Sequence, residues 1–299
     1  MDDFIQSLSD EFKDIFFVKG ERNGNYPYSH SILIQDFLID TGISADYLTK
    51  LKKQFPINFV MLSHWHEDHI SGNHLLGNSK FLCHPQDKEP VEDIELIYPY
   101  YCVDNTAAGD IFRSMVKSLG MRNTEIYKTF DDNEIIPIGE HLQLKVIHTP
   151  GHTAGHCCFI ETNSKIAFFG DIDLTKFPYY ATTDASLMRL EESIKKLKNF
   201  EVSVAILGHK DPVYGSKNIR DELDNFQSVI DKRDERILSH LSEQKPMRPI
   251  DLKGKNLIYR RYAFEIFEVI SELVMIEKHF EKFQIYDLIS KKQDGFILS

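Results

Sequence analysis

Apolar residues in the first two-thirds of the chain fall into short runs bounded by turn residues. Ile15 to Lys19 is one such run, followed by the turn-forming Asn23-Gly24-Asn25-Tyr26-Pro27. Ser31 to Asp40 reads as two strands with a tight connection, closed by Thr41-Gly42. Tyr47, Leu48 and Leu51 recur at helical spacing, which predicts a helix capped by Ser44 and running to about Phe55. Ile57 to Ser63 is almost continuously apolar, the pattern of a strand buried on both faces. Phe81–His84, Ile126–Lys128, Leu142–His148, Cys157–Glu161, Ile166–Gly170 and Val202–Leu207 read as further strands. Between them, Asp87 to Gly120 is mostly helical and broken at Pro90 and Pro99, and Asp184 is expected to cap a helix to about Leu197.

The pattern changes after Gly215. Arg220–Leu241 and Tyr259–Phe283 carry long helical periodicities, and Ile285–Leu298 reads as a short helix followed by a strand around Asp294-Gly295. Alternating strands and helices make residues 1–215 an α/β domain, with 216–299 as a helical accessory region. Ala263, Phe264, Ile266, Phe267, Ile270, Leu273 and Val274 form an apolar face there that must be covered.

Composition narrows the function. No apolar run approaches the roughly 20 residues of a membrane span. The acidic start, with Asp2, Asp3, Asp10 and Glu11, is unlike a secretory signal, and the 4 cysteines form no Cys-x-x-Cys pair. Both features lead to the expectation of a cytoplasmic protein with reduced thiols. Lys and Arg total 35 against 46 Asp and Glu, a formal charge of −11, which argues against a grip on long nucleic acid while leaving room for a local basic patch.

The chemistry is concentrated in His64-Trp65-His66-Glu67-Asp68-His69, directly after the strand ending at Ser63. Three imidazoles and two carboxylates in six residues offer little to a core. They are donors that zinc, iron or manganese accept, and their spacing suits two adjacent metals rather than one.

His-x-His-x-Asp-His resembles the signature of the metallo-β-lactamase superfamily, and similar motifs follow in order. These are Thr149-Pro150-Gly151-His152, Phe169-Gly170-Asp171 and Leu207-Gly208-His209, with Leu38-Ile39-Asp40-Thr41-Gly42 upstream. The resemblance spans residues 38 to 209 and implies an αββα sandwich with two divalent metals, zinc favoured and iron or manganese also suitable. It implies that His64, His66 and His152 hold one metal, that Asp68, His69 and His209 hold the other, and that Asp171 bridges them. Asp173 is the rival for the bridge. Asp40, His148 and His156 are expected to support the ligands without touching metal. His74 and His84 are expected to hydrogen-bond near the site, and His30, His141, His240 and His279 to take no part.

The resemblance implies a hydrolase in which a metal-bridging hydroxide attacks a small ester, thioester or lactone. Neither a Gly-x-Ser-x-Gly elbow nor a phosphate-binding Gly-x-x-x-x-Gly-Lys loop is present, so the metals are the evident engine. Asp68, Tyr179 and Tyr180 are the candidates for a direct part in catalysis, the tyrosines as donors to a developing oxyanion. The alternatives are a phosphodiesterase or RNA endonuclease of the same superfamily and a mononuclear iron dioxygenase. The seven ligands are shared with glyoxalase II thioesterases, although that branch's Gly-Asp-Thr-Leu-Phe run is replaced here by Gly170-Asp171-Ile172-Asp173-Leu174. The C-terminal region resembles the winged-helix-like tail of a branch whose members include RNA nucleases. It carries 15 basic and 15 acidic residues and is neutral, so it is expected to pack on the catalytic domain or to form a homodimer.

Overall fold

Strands buried on both faces build two sheets that face each other across a shared apolar layer. The computed structural model describes residues 2–8 and 13–299. Met1 and residues 9–12, and with them Asp10 and Glu11 of the acidic start, lie outside the described residues. The first sheet has seven strands in chain order: β1 (Ile5–Ser7), β2 (Ile15–Val18), β3 (Ser31–Ile34), β4 (Phe37–Ile39), β5 (Phe59–Met61), β6 (Lys80–Cys83) and β7 (Ile126–Thr129). Pairing is antiparallel from β1 to β4 and parallel from β4 to β7. The second sheet contains β8 (Ile135–Ile138), β9 (Leu142–His148), β10 (Cys157–Glu161), β11 (Ile166–Phe168), β12 (Val204–Ile206) and β13 (Val213–Tyr214), running from β13 at one edge to β8 at the other. A hairpin of β14 (Ile289–Lys292) and β15 (Gly295–Leu298) stands apart.

The period-2 alternation of the strands sorts their side chains. Ile32, Ile34, Ile39 and Met61 of the first sheet meet Val146, Phe159, Phe168 and Ile206 of the second in the layer between the sheets. Leu33, Leu38, Val60 and Phe81 point the other way. They are covered by α1 (Ala45–Gln54), by the short helices α2 (Glu67–Ile70), α3 (Lys88–Glu92) and α4 (Ile97–Tyr100), and by α5 (Ala107–Ser118). Ile147, Cys158, Ala167 and Ala205 are covered by α6 (Leu187–Leu197), α7 (Ser216–Leu238) and α8 (Glu265–Ile285). The layers are therefore helix, sheet, sheet and helix.

Ser44 caps α1 by accepting the Tyr47 N–H. Pro90 and Pro99 sit inside α3 and α4, short helices with few N–H bonds to lose. Two boundary expectations are corrected. Ser186, not Asp184, caps α6, because the Asp184 carboxylate accepts the Trp65 indole N–H at 3.1 Å and the Ala154 N–H at 3.0 Å. The segment after α8 is a hairpin turning at Gln293-Asp294, not a short helix and one strand.

Residues 216–299 do not stand alone. Ile219, Phe226, Met275 and Phe280 share one cluster with Ile147 and Ala205 of the second sheet. On the predicted apolar face of α8, Val274 is buried and Phe267 and Ile270 pack with the cluster containing Phe112, while Phe264 remains 72% exposed. No described helix is long and apolar enough to cross a membrane.

Candidate metal centre

Strand direction brings the donor residues to one edge of the sandwich. β4, β5 and β6 run parallel and deliver Asp40 and the 63–69 segment from their carboxyl ends. In the second sheet β9 and β11 are both antiparallel to β10, and β11 is parallel to β12. The loop after β9, Asp171 after β11 and His209 after β12 therefore emerge at one edge. Such loops on a rigid scaffold are the usual home of reactive side chains.

The donors form two sets. His152 Nε2 lies 3.2 Å from His64 Nε2, 2.8 Å from His66 Nδ1 and 3.3 Å from Asp171 Oδ2. His209 Nε2 lies 3.3 Å from His69 Nε2, 3.3 Å from Asp68 Oδ2 and 3.4 Å from Asp171 Oδ1. Asp171 thus turns one oxygen to each set. Gly208 makes room for it, since a β-carbon there would stand 2.5 Å from Asp171 Oδ1.

Burial is deep. His64 and His69 are fully buried, and His66, Asp68 and His152 are nearly so. Burial, with neighbouring imidazoles, pushes His64 and His66 well below the usual histidine range. Burial also opposes charge on His69 and His209, but carboxylates outweigh it. Asp171 and Asp40 raise His69 well above its ordinary value, and Asp171 and Asp68 raise His209 to about 10. The second set therefore favours positive charge at its centre.

The donor chemistry fits metal ions. Tetrahedral zinc with Zn–N bonds of roughly 2.0–2.1 Å separates its donors by about 3.3 Å. Several cross-set spacings here are close to that value, while the His66–His152 contact is tighter. Imidazole nitrogens facing one another at this range need a shared cation or proton between their lone pairs. Asp171 Oδ1 is buried without an aligned hydrogen bond, and His66 Nε2 is likewise unpartnered.

Supporting contacts orient the imidazoles. Asp40, at a left-handed φ of 63°, accepts the Ser63 N–H and hydroxyl at 2.7 and 2.6 Å, and its Oδ2 lies 2.7 Å from His69 Nδ1. His152 Nδ1 lies 2.8 Å from the Tyr179 carbonyl, and His209 Nδ1 lies 2.6 Å from the Gly24 carbonyl. His156 Nε2 accepts the Asp171 N–H at 3.1 Å. His148 is farther out, with Nε2 2.9 Å from the Ala154 carbonyl and its ring stacked on His84. His74 Nδ1 lies 2.9 Å from the nearby Ser71 carbonyl.

The two tyrosines part company. The Tyr179 ring faces His66 and His152 at 6.1 and 6.0 Å between centroids. Tyr180 is corrected as an oxyanion donor. It is fully buried, and its hydroxyl is held by Arg233 at 2.9 Å and His279 at 2.8 Å, away from the donor sets. Asp173 also stays outside the cluster and accepts the Thr175 N–H at 3.0 Å.

Three residues that the motifs do not single out complete the surroundings. Glu67 accepts the Tyr26 and Tyr101 hydroxyls at 2.8 and 2.7 Å, and burial with the Asp68 charge pushes its carboxyl up to about 7. Asp87 accepts hydrogen bonds from both ligand loops. His279, expected to take no part, belongs to the network around Tyr180.

The geometry agrees with comparisons to known proteins. A beta-lactamase domain protein from Burkholderia ambifaria superposes with a TM-score of 0.74 at 16% identity, covering 99% of this chain and 93% of that one. A metallo-beta-lactamase family protein from Thermus thermophilus gives 0.68 at 16% identity, covering 99% and 97%. Among curated proteins, an uncharacterized protein of Aquifex aeolicus is 24% identical over 183 residues, 58% of this chain and 78% of its own. An atrochrysone carboxyl ACP thioesterase of Emericella nidulans is 27% identical over 60% of this chain and 49% of its own. A hydroxyacylglutathione hydrolase of Francisella tularensis subsp. novicida is 27% identical over 49% and 44%. The match thus spans about half the length of the thioesterase and less than half of the hydrolase. The family profile covers residues 27–209, the stretch from the tyrosine-bearing loop to the last histidine of the cluster, and the chain belongs to the metallo-beta-lactamase superfamily.

Proposed function

We propose that the protein is a dinuclear metal-dependent hydrolase of a small thioester, ester or lactone, with zinc as its favoured metal. The observation that carries this reading is the Asp171 carboxylate, with Oδ2 toward His152 and Oδ1 toward His69 and His209. One set of holders is His64, His66 and His152, the other is Asp68, His69 and His209, and Asp171 is common to both. Two divalent cations in such a pair supply Lewis acidity and a water whose pKa falls from about 15.7 toward 7.

The chain's own residues do the positioning. Asp40 and the carbonyls of Tyr179 and Gly24 fix the outward ring nitrogens of His69, His152 and His209, which leaves Nε2 of each facing inward. Tyr179 presents an aromatic wall beside His66 and His152, and Tyr26, Tyr101 and Glu67 close a second side. The named activities of the fungal thioesterase and the bacterial hydrolase both concern thioesters, which supports that class first.

The test is a substrate panel on metal-loaded protein: acyl thioesters, lactones, a chromogenic phosphodiester and labelled RNA. Thioester or lactone turnover is expected. Cleavage of only the phosphodiester or RNA would replace this reading with the nuclease alternative. A single tightly held iron with oxygen consumption would replace it with the dioxygenase.

A further inference from the structure

Arg233 of α7 is 1% exposed, a depth at which a guanidinium must have hydrogen-bond partners. It donates to the Pro178 carbonyl at 2.7 Å and to the Tyr180 hydroxyl at 2.9 Å, and it lies over the Phe177 ring at 4.7 Å from the centroid. These contacts bracket Tyr179, the residue whose carbonyl sits 2.8 Å from Nδ1 of His152. From α8, His279 Nε2 reaches the same Tyr180 hydroxyl at 2.8 Å, and His279 Nδ1 lies 2.6 Å from Asp234 Oδ1. Both C-terminal helices thus grip the short segment that carries the carbonyl.

We propose that Arg233 is a positioning residue for His152, acting through the backbone of residues 178–180. A carbonyl only accepts, so the Tyr179 carbonyl selects the tautomer with hydrogen on Nδ1 and leaves Nε2 with a free lone pair, able to bind a metal shared with His64 and His66. Arg233 holds that carbonyl in place from a helix that contributes no donor to the cluster. The helical C-terminal region is thereby part of the metal centre rather than an appendage. This inference rests on reading the cluster as a metal site.

The test is Co2+ titration of the full-length protein after chelation, followed by visible absorption and by competition with Zn2+. Arg233→Met is expected to weaken the His64–His66–His152 set by about 10-fold, the lower end for lost support of a ligand histidine, because Arg233 acts through the backbone that carries the supporting carbonyl. It is also expected to alter that site's Co2+ spectrum. Arg233→Lys keeps a donor for the Pro178 carbonyl but loses the planar guanidinium over Phe177, so it should fall between Met and wild type. Ile230→Val, a buried change on the same helix, should leave affinity and spectrum alone while lowering the melting temperature. Wild-type affinity and spectrum in Arg233→Met overturn the proposal, as does an equal loss in Ile230→Val. If Arg233→Met does not fold, Arg233→Lys decides, and wild-type affinity there overturns it. Failure of the wild-type protein to bind Co2+ is a separate result and brings down the metal reading itself.

Discussion

The Asp87 carboxylate accepts a hydrogen bond from the Thr153 hydroxyl at 2.7 Å, and this contact ties two ligand loops together. Thr153 follows His152. The same oxygen of Asp87 takes the N–H of Trp65, which lies between His64 and His66, at 3.2 Å, and the other takes the Gly155 N–H at 2.6 Å. Burial and the nearby Asp184 charge push the Asp87 carboxyl up to about 8, so the fold holds it at a cost. Asp87→Ala leaves three buried donors without a partner, and each such loss costs about 1–3 kcal/mol. A large fall in melting temperature is expected, together with metal loss from the His64–His66–His152 set. Asp87→Asn, which keeps one acceptor, should be intermediate. Calorimetry and elemental analysis check this, and a stable, metal-replete Asp87→Ala would refute it.

Gly42 makes a second prediction by contact alone. A β-carbon there would stand 1.5 Å from the Asp68 carbonyl oxygen and 2.5 Å from Ser29 Oγ. Ser29 itself donates to that carbonyl at 2.9 Å, so neither neighbour has room to retreat. Overpacking of this kind typically costs about 1–3 kcal/mol and sometimes more. Gly42→Ala should therefore displace the turn carrying Asp68 and His69 and weaken metal at the Asp68–His69–His209 set before the other. Metal stoichiometry under graded chelation reads this order. Loss from the His64 set first would contradict it.

Legibility in the sequence follows the distance along the chain between partners. The 64–69 segment packs three imidazoles and two carboxylates within six residues, and the later ligand motifs are short and local. Asp87 and Thr153 are 66 positions apart, Arg233 and Pro178 are 55 apart, and Tyr180 and His279 are 99 apart. No local pattern pairs such residues. Tyr179 and Tyr180 are adjacent, and only the fold determines that the first faces His66 while the second turns into the helices. Among strands, the long apolar runs are readable. Ile135–Ile138 holds Pro137 on an edge strand, and Val213–Tyr214 has two residues, too few to show alternation.

Acid sensitivity is expected from His84. Its ring stacks on His148 with centroids 3.9 Å apart, and burial with the His148 charge pushes it down to about 4. An unfolded histidine titrates near 6.5. Between about 6.5 and 4 the unfolded chain therefore binds a proton that the folded chain refuses, and stability falls as pH drops through that window. Above it, His84 contributes no pH dependence, and below about 4 the loss levels off. His84→Gln should flatten the melting-temperature profile between pH 6.5 and 4 relative to wild type, with both proteins kept metal-free. Parallel profiles for the two would remove His84 from the account.

The bridge is the last and most direct prediction. Asp171 is shared by both donor sets, and its carboxyl is held well below the usual range: His69, His209 and His152 together outweigh the penalty of burial. Two divalent ions a few ångströms apart repel strongly, and a shared carboxylate offsets part of that repulsion. Asp171→Ala should therefore lose at least one metal and most activity. It should still fold, since Asp171 lies beyond β11 and outside the apolar layers. His209→Ala should weaken only the second set, because its ring does not reach His64 or His66. Asp173→Asn should leave both metals bound, since Asp173 Oδ1 is occupied by the Thr175 N–H at 3.0 Å. Metal content, circular dichroism and hydrolysis measured on the three variants separate these outcomes. If Asp173→Asn loses both metals while Asp171→Ala keeps them, the bridge has been assigned to the wrong aspartate.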